Sequence, residues 1–167
     1  MFALSLTGFN NSTIPRDIKI IGDSAFHNCS GLTSISLPSS LTSIRSQAFD
    51  GCSGLTGELN LGGCTSLTSI GKEAFSSCSG LTSITLPSNL TSIGDDTFRN
   101  CSGLTSISLP SSLTSIGNRA FYGCSGLTGE LNLSNCTNLT SIGRDAFQYC
   151  SGLTSVDLSG CTSLTSI

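Results

Sequence analysis

Nine cysteines and one histidine, His27, are the residues of this 167-residue chain that chemistry would use first. His27 stands two positions before Cys29, and such a pair makes a nucleophile when the thiolate is exposed beside the base. The register derived below turns Cys29 inward, so a catalytic reading is not expected. Zinc needs short local pairs such as C-x2-C, and the chain has none. Disulfides between successive turns of a repeat would bridge Cβ atoms about 4.8 Å apart, against the ~3.8 Å a disulfide prefers. Small buried free thiols are therefore the expectation. The adjacent carboxylates Asp95 and Asp96 could suit a cation, but Lys72-Glu73 and Arg144-Asp145 occupy the same place in other repeats, as befits a solvated edge.

Composition narrows the classes further. Charged residues make up 10 % and the net charge is −3, with seven Lys and Arg scattered along the chain. A nucleic-acid surface needs a clustered basic face, so nucleic-acid binding is excluded. No stretch approaches the roughly 18 apolar residues of a membrane span. The opening MFALSLTG lacks the basic region and the length of a signal peptide. Neither enzyme nor cofactor is expected.

What positions the cysteines is a repeat. Ile recurs at 21, 44, 70, 93, 116, 142 and 167, at intervals of 23, 26, 23, 23, 26 and 25 residues. Phe recurs at 26, 49, 75, 98, 121 and 147. Cys follows three residues later, at Cys29, Cys52, Cys78, Cys101, Cys124 and Cys150. Periods of this length mark a solenoid in which each unit completes its neighbour's core. The two 26-residue units carry GEL, and they and the last unit carry a second set of cysteines (Cys64, Cys136, Cys161) between register-marking apolar residues.

Within a unit, Leu32, Ile35 and Leu37 alternate with Ser34 and Ser36, a short strand with one buried face that Pro38 ends. Leu41 and Ile44 reach inward from a second extended piece. The spacing of Ala, Phe and Cys at i, i+1 and i+4 predicts a short helical turn, with Gly31 as its C-terminal cap. The outward strand positions form the candidate binding face: Ser34, Ser36, Glu58, Asn60, Ser83, Thr85, Ser106, Ser108, Glu130, Asn132, Ser155 and Asp157. Small hydroxyl side chains dominate it, and the Tyr, Trp and Arg anchors of a tight protein interface are missing. Asn-x-Ser/Thr sequons stand at Asn10, Asn11, Asn28, Asn89, Asn100, Asn132, Asn135 and Asn138; they become glycosylation sites only in a secreted eukaryotic protein.

The unit LTSIxLPxxLTSIGxxAFxxCSG resembles the BspA-like class of leucine-rich repeats over residues 9–167. The resemblance implies an α/β, β-rich repeat solenoid of about seven right-handed coils, with a parallel concave sheet and short helical turns on the other side. It implies one domain, 1–167: a degenerate first coil over 1–20, then repeats beginning at 21, 44, 70, 93, 116 and 142. It also implies a surface or secreted adhesion scaffold with a protein or glycan ligand. The family has no fixed site motif to carry over. A second expectation comes from phase: Ile167 is equivalent to Ile21, and neither end carries a polar cap. Open ends of this kind would stack head to tail into oligomers or filaments.

Overall fold

The computed structural model describes residues 12–167. Its backbone is a parallel β-solenoid whose continuous spine is six two-residue strands: Ile20–Ile21, Ser43–Ile44, Ser69–Ile70, Ser92–Ile93, Ser115–Ile116 and Ser141–Ile142. Ser166 adds an isolated bridge to Ser141. These strands stay in register because no insertion falls between the second inward Leu and the Ile. The threonine before each Ser-Ile pair reinforces the spine. Thr91, Thr114, Thr140 and Thr165 each donate both N–H and Oγ1–H to the carbonyl of the equivalent residue one coil back, at 2.8–3.1 Å.

The first extended run behaves differently. It forms three separate small sheets: Ser12–Thr13 with Ile35–Ser36; Gly57–Asn60, Leu81–Thr85 and Ser106–Ser108; and Thr128–Asn132 with Gly152–Asp157. The single concave sheet expected from the repeat is thus interrupted. Each long coil starts a new sheet, because the extra residue of its GEL insertion makes a bulge at Gly57 or Gly129, where φ is +78° and +74°.

Among the described residues no helix forms, which corrects the expected helical turns. The segment from Ile to Cys is a run of tight turns with residues at positive φ four apart, such as Gln47 and Gly51 or Asp96 and Asn100. Alternate N–H groups close turns within the coil (Asp50 to Gln47 O, Cys52 to Phe49 O). The others donate to the next coil (Gln47 to Lys72 O, Phe49 to Ala74 O, Gly51 to Ser76 O). A helix would turn all of these donors inward; stacking supplies partners for every second one, and the alternation follows. The expected cap also dissolves. The glycine of Cys-Ser-Gly does not hold positive φ; at Gly54, Gly80, Gly103, Gly126 and Gly152 a Cβ would run into a backbone carbonyl of the preceding coil. Gly103→Ala, pressed against Ser79 O, is expected to lose about 1–3 kcal/mol in urea unfolding. An unchanged midpoint would contradict the contact.

Six coils are built this way. The expectation of about seven rested on the degenerate coil over 1–20, whose residues 1–11 lie outside the described residues. Leu, Ile, Ala, Phe and Cys of successive coils form one continuous core. Through its centre run Phe26, Phe49, Phe75, Phe98, Phe121 and Phe147, stacked near-parallel with centroids 5.0–5.7 Å apart.

Candidate binding surface

The cysteine ladder has a structural occupation. None of the nine is in a disulfide; eight are buried and Cys29 is half-buried. Cys52, Cys78, Cys101, Cys124 and Cys150 each donate S–H to the Phe carbonyl of the coil before (Phe26, Phe49, Phe75, Phe98, Phe121) at 3.0–3.2 Å. Cys52, Cys101 and Cys124 also send N–H to the Phe of their own coil, so an inner Phe carbonyl such as Phe98 O receives two donors. Valine would fill the space but leave that second lone pair unmet. Cys64, Cys136 and Cys161 do the same to Pro38, Pro110 and Leu133. Burial pushes the thiols up, to about 12 for Cys52 and Cys124 and well above the ordinary range for Cys101. Such groups are poor nucleophiles.

His27 is occupied as well. Its Nδ1 lies 3.3 Å from Asp50 and its Nε2 lies 2.9 Å from the Asn28 amide nitrogen. Nδ1–H toward Asp50 with Nε2 accepting from Asn28 satisfies both contacts, so the ring serves the turn and not Cys29. Among the described residues no group of three or more His, Cys, Asp or Glu is placed to hold a metal ion, and no helix is long and apolar enough to cross a membrane.

Ten of the twelve outward strand residues are exposed, and Ser83 and Asp157 are half-buried. Register aligns Glu58, Ser83 and Ser106 in one row and Asn60, Thr85 and Ser108 in a second, with Leu59, Ile84 and Ile107 packed inward between them. Glu130 pairs with Ser155 and Asn132 with Asp157 in the last sheet; Ser36 lies in the first, with exposed Ser34 just before it. The twelve positions thus fall on three patches. Several have turn duties. Asn60, Asn132 and Asp157 accept N–H bonds from Gly62, Ser134 and Ser159 at 2.9 Å, and Thr85 donates to Glu58 at 2.7 Å. The Ser159 bonds hold the Asp157 carboxyl below its ordinary range. Of the sequons, Asn28, Asn89, Asn100, Asn132, Asn135 and Asn138 are exposed, while Asn10 and Asn11 lie outside the described residues.

Sequence reasoning passed over two features. One is the threonine row along the spine, visible in the recurrent Leu-Thr-Ser-Ile. The other is a cluster on the turn side, where Arg99, Tyr122 and Tyr149 of three successive coils meet. No repeat pattern signals it, because these residues occupy the variable positions.

A stack of parallel rungs with an invariant Leu/Ile/Phe/Cys interior and a variable exterior defines a leucine-rich repeat solenoid. The family description "BspA type Leucine rich repeat region" matches residues 1–128 and 68–167 in six copies, and the chain belongs to that family. Among solved structures it is similar to the leucine-rich repeat protein of T. pallidum, at 30 % identity and TM-score 0.66, covering 93 % of this chain and 78 % of that one. It is also similar to a leucine-rich cell surface protein of Faecalibacterium prausnitzii (29 %, 0.62, covering 89 % and 47 %). A third is a leucine-rich repeat protein of Eubacterium ventriosum (25 %, 0.60, covering 94 % and 44 %). The chain spans less than half of the last two. A search of curated proteins returns no match. The Faecalibacterium prausnitzii neighbour is described as a cell surface protein.

Proposed function

We propose that this chain is a non-catalytic adhesion scaffold at the cell exterior, and that the outward rows of the three small sheets contact its ligand. The observation carrying this reading is the register: in the middle sheet Glu58, Ser83 and Ser106 line up beside Asn60, Thr85 and Ser108 on the outward face, with Leu59, Ile84 and Ile107 turned into the core between them. Such a face offers many weak, equivalent hydrogen bonds and no deep anchor, which suits a repeating polymer such as a glycan and binding by avidity. Ser83→Arg with Ser106→Arg, both outside the core, is the test. Binding of the chain to immobilised polysaccharides and matrix proteins is expected to fall about tenfold or more while circular dichroism is unchanged. Unaltered binding to every immobilised species removes these rows from the function.

A second reading draws on the outer face of Gly152–Asp157, which has a strand partner on one side only. Val156 and Ile167 are exposed there, and Leu153, Leu158 and Leu164 are half-buried. The chemistry that stacks one coil on the next operates on that face for a following coil, whether of the same chain or of a second copy. Copy-on-copy stacking predicts a mass by light scattering that grows with concentration and collapses when charges replace Ser163 and Thr165. A mass independent of concentration dismisses it.

A further inference from the structure

The turn side of the last three coils carries a surface unlike the rest of the molecule. The chain has two tyrosines and no tryptophan, and both tyrosines lie here. Tyr122 and Tyr149 meet edge to face, centroids 5.0 Å apart at 90°, and the Arg99 guanidinium sits 5.5 Å over the Tyr122 ring. Tyr149 is 63 % exposed. It also holds φ +62° in a row otherwise filled by Asn28, Gly51, Ser77, Asn100 and Gly123, residues that accept the left-handed region far more readily than an aromatic.

One buried carboxylate here has two guanidinium groups for neighbours. The Asp96 carboxylate, 9 % exposed, faces Arg99 Nε at 3.8 Å and Arg119 Nε at 3.9 Å, both too long for hydrogen bonds. Asp96 Oδ1 and Arg99 Nε are buried without a hydrogen-bond partner. Nearby, Arg144 is held by Asp145 at 3.3 Å, and Asp95 accepts the Asn118 N–H at 2.7 Å. Two guanidinium groups therefore share one carboxylate, and neither Nε–H comes within hydrogen-bond distance of it.

We propose that Arg99, Arg119, Tyr122 and Tyr149 form a docking surface for a protein segment that carries a carboxylate beside an apolar side chain. The carboxylate takes the bidentate donors of the arginine pair. The apolar side chain packs on the exposed ring of Tyr149. Tyr and Arg are the residues that concentrate binding energy in protein interfaces. A sugar ring would want a flat, open aromatic face, whereas here Arg99 covers a face of Tyr122 and Tyr149 stands at right angles to it. This surface is separate from the strand rows proposed above, and the two stand or fall independently.

The full chain supplies its own reporter, since tyrosine emission arises from these two residues alone. A random-peptide display library is panned on the wild type and on Arg99→Gln and Tyr149→Ser, both outside the hydrophobic core and checked by circular dichroism. Peptides enriched on the wild type are expected to pair Asp or Glu with an apolar neighbour, to quench tyrosine emission, and to bind about tenfold more weakly to either variant and at raised salt. Enrichment no greater than on the variants overturns the proposal, as do enriched peptides lacking carboxylates. Quenching by polygalacturonate with none by the selected peptides overturns it in favour of an acidic glycan.

Discussion

Phe98→Ala is expected to destabilise the chain by about 3–5 kcal/mol, the upper range for a buried aromatic truncation. Phe98 has no exposed surface and stacks on two rings, Phe75 at 5.7 Å and Phe121 at 5.3 Å. Its backbone is pinned by bonds that do not involve the ring: Phe98 N–H donates to Ala120 O, and Phe98 O receives both Cys101 N–H and Cys124 S–H. The coil therefore cannot collapse onto the cavity. Phe26, at the end of the described ladder, stacks on one ring and is only partly buried, so Phe26→Ala should cost well under half as much. Because each coil touches only its neighbours, weakening the middle should also split urea unfolding into two transitions. Equal losses at Phe98 and Phe26, or a single unsplit transition with a loss near 1 kcal/mol, would refute a ladder of coupled rings.

Alkaline pH should unfold this chain unusually steeply. Cys52, Cys78, Cys101 and Cys124 are wholly buried, and burial raises all four thiols, Cys52 and Cys124 to about 12. Unfolded, the same thiols ionise near ~8.5. The folded state thus keeps protons that the unfolded state releases. Stability is fully present below the unfolded value and falls as pH rises from there toward the folded value. Each such thiol contributes a slope of about 1.4 kcal/mol per pH unit once the unfolded form is ionised, on the order of 3 kcal/mol by pH ~10.5. Four together remove on the order of 10 kcal/mol, comparable to the whole stability of a typical domain. Urea midpoints measured under reducing conditions between pH 8 and ~10.5 check this. Cys101→Ala should lower stability at neutral pH, through the lost bond to Phe75 O, yet flatten the alkaline slope by about a quarter. A pH-independent midpoint across that window would show the thiols to be accessible.

The core was largely readable in advance. Period, strand positions and the inward rows of Leu, Ile, Phe and Cys follow from side-chain identity, since each row either leaves water or does not. The turn segment was misread because Ala, Phe and Cys at i, i+1 and i+4 fit one face of a helix equally well. Side-chain spacing reports which residues face inward; it does not report where each backbone N–H finds its acceptor. Here every second acceptor sits one coil away, and Gln47, Gly51, Asp96 and Asn100 adopt positive φ to reach that arrangement.

The sequence by itself determined the solenoid, its family, the coil lengths and which rows are buried, because hydrophobic burial repeats with the chain. Tertiary structure decided three things. The GEL bulges at Gly57 and Gly129 cut the outward face into three sheets while the Ser-Ile spine ran on unbroken. Each buried cysteine became a hydrogen-bond donor to the coil before it. Arg99, Tyr122 and Tyr149, scattered among variable positions, were brought into contact. All three depend on contacts between residues one coil apart, and only the stacked backbone sets that geometry.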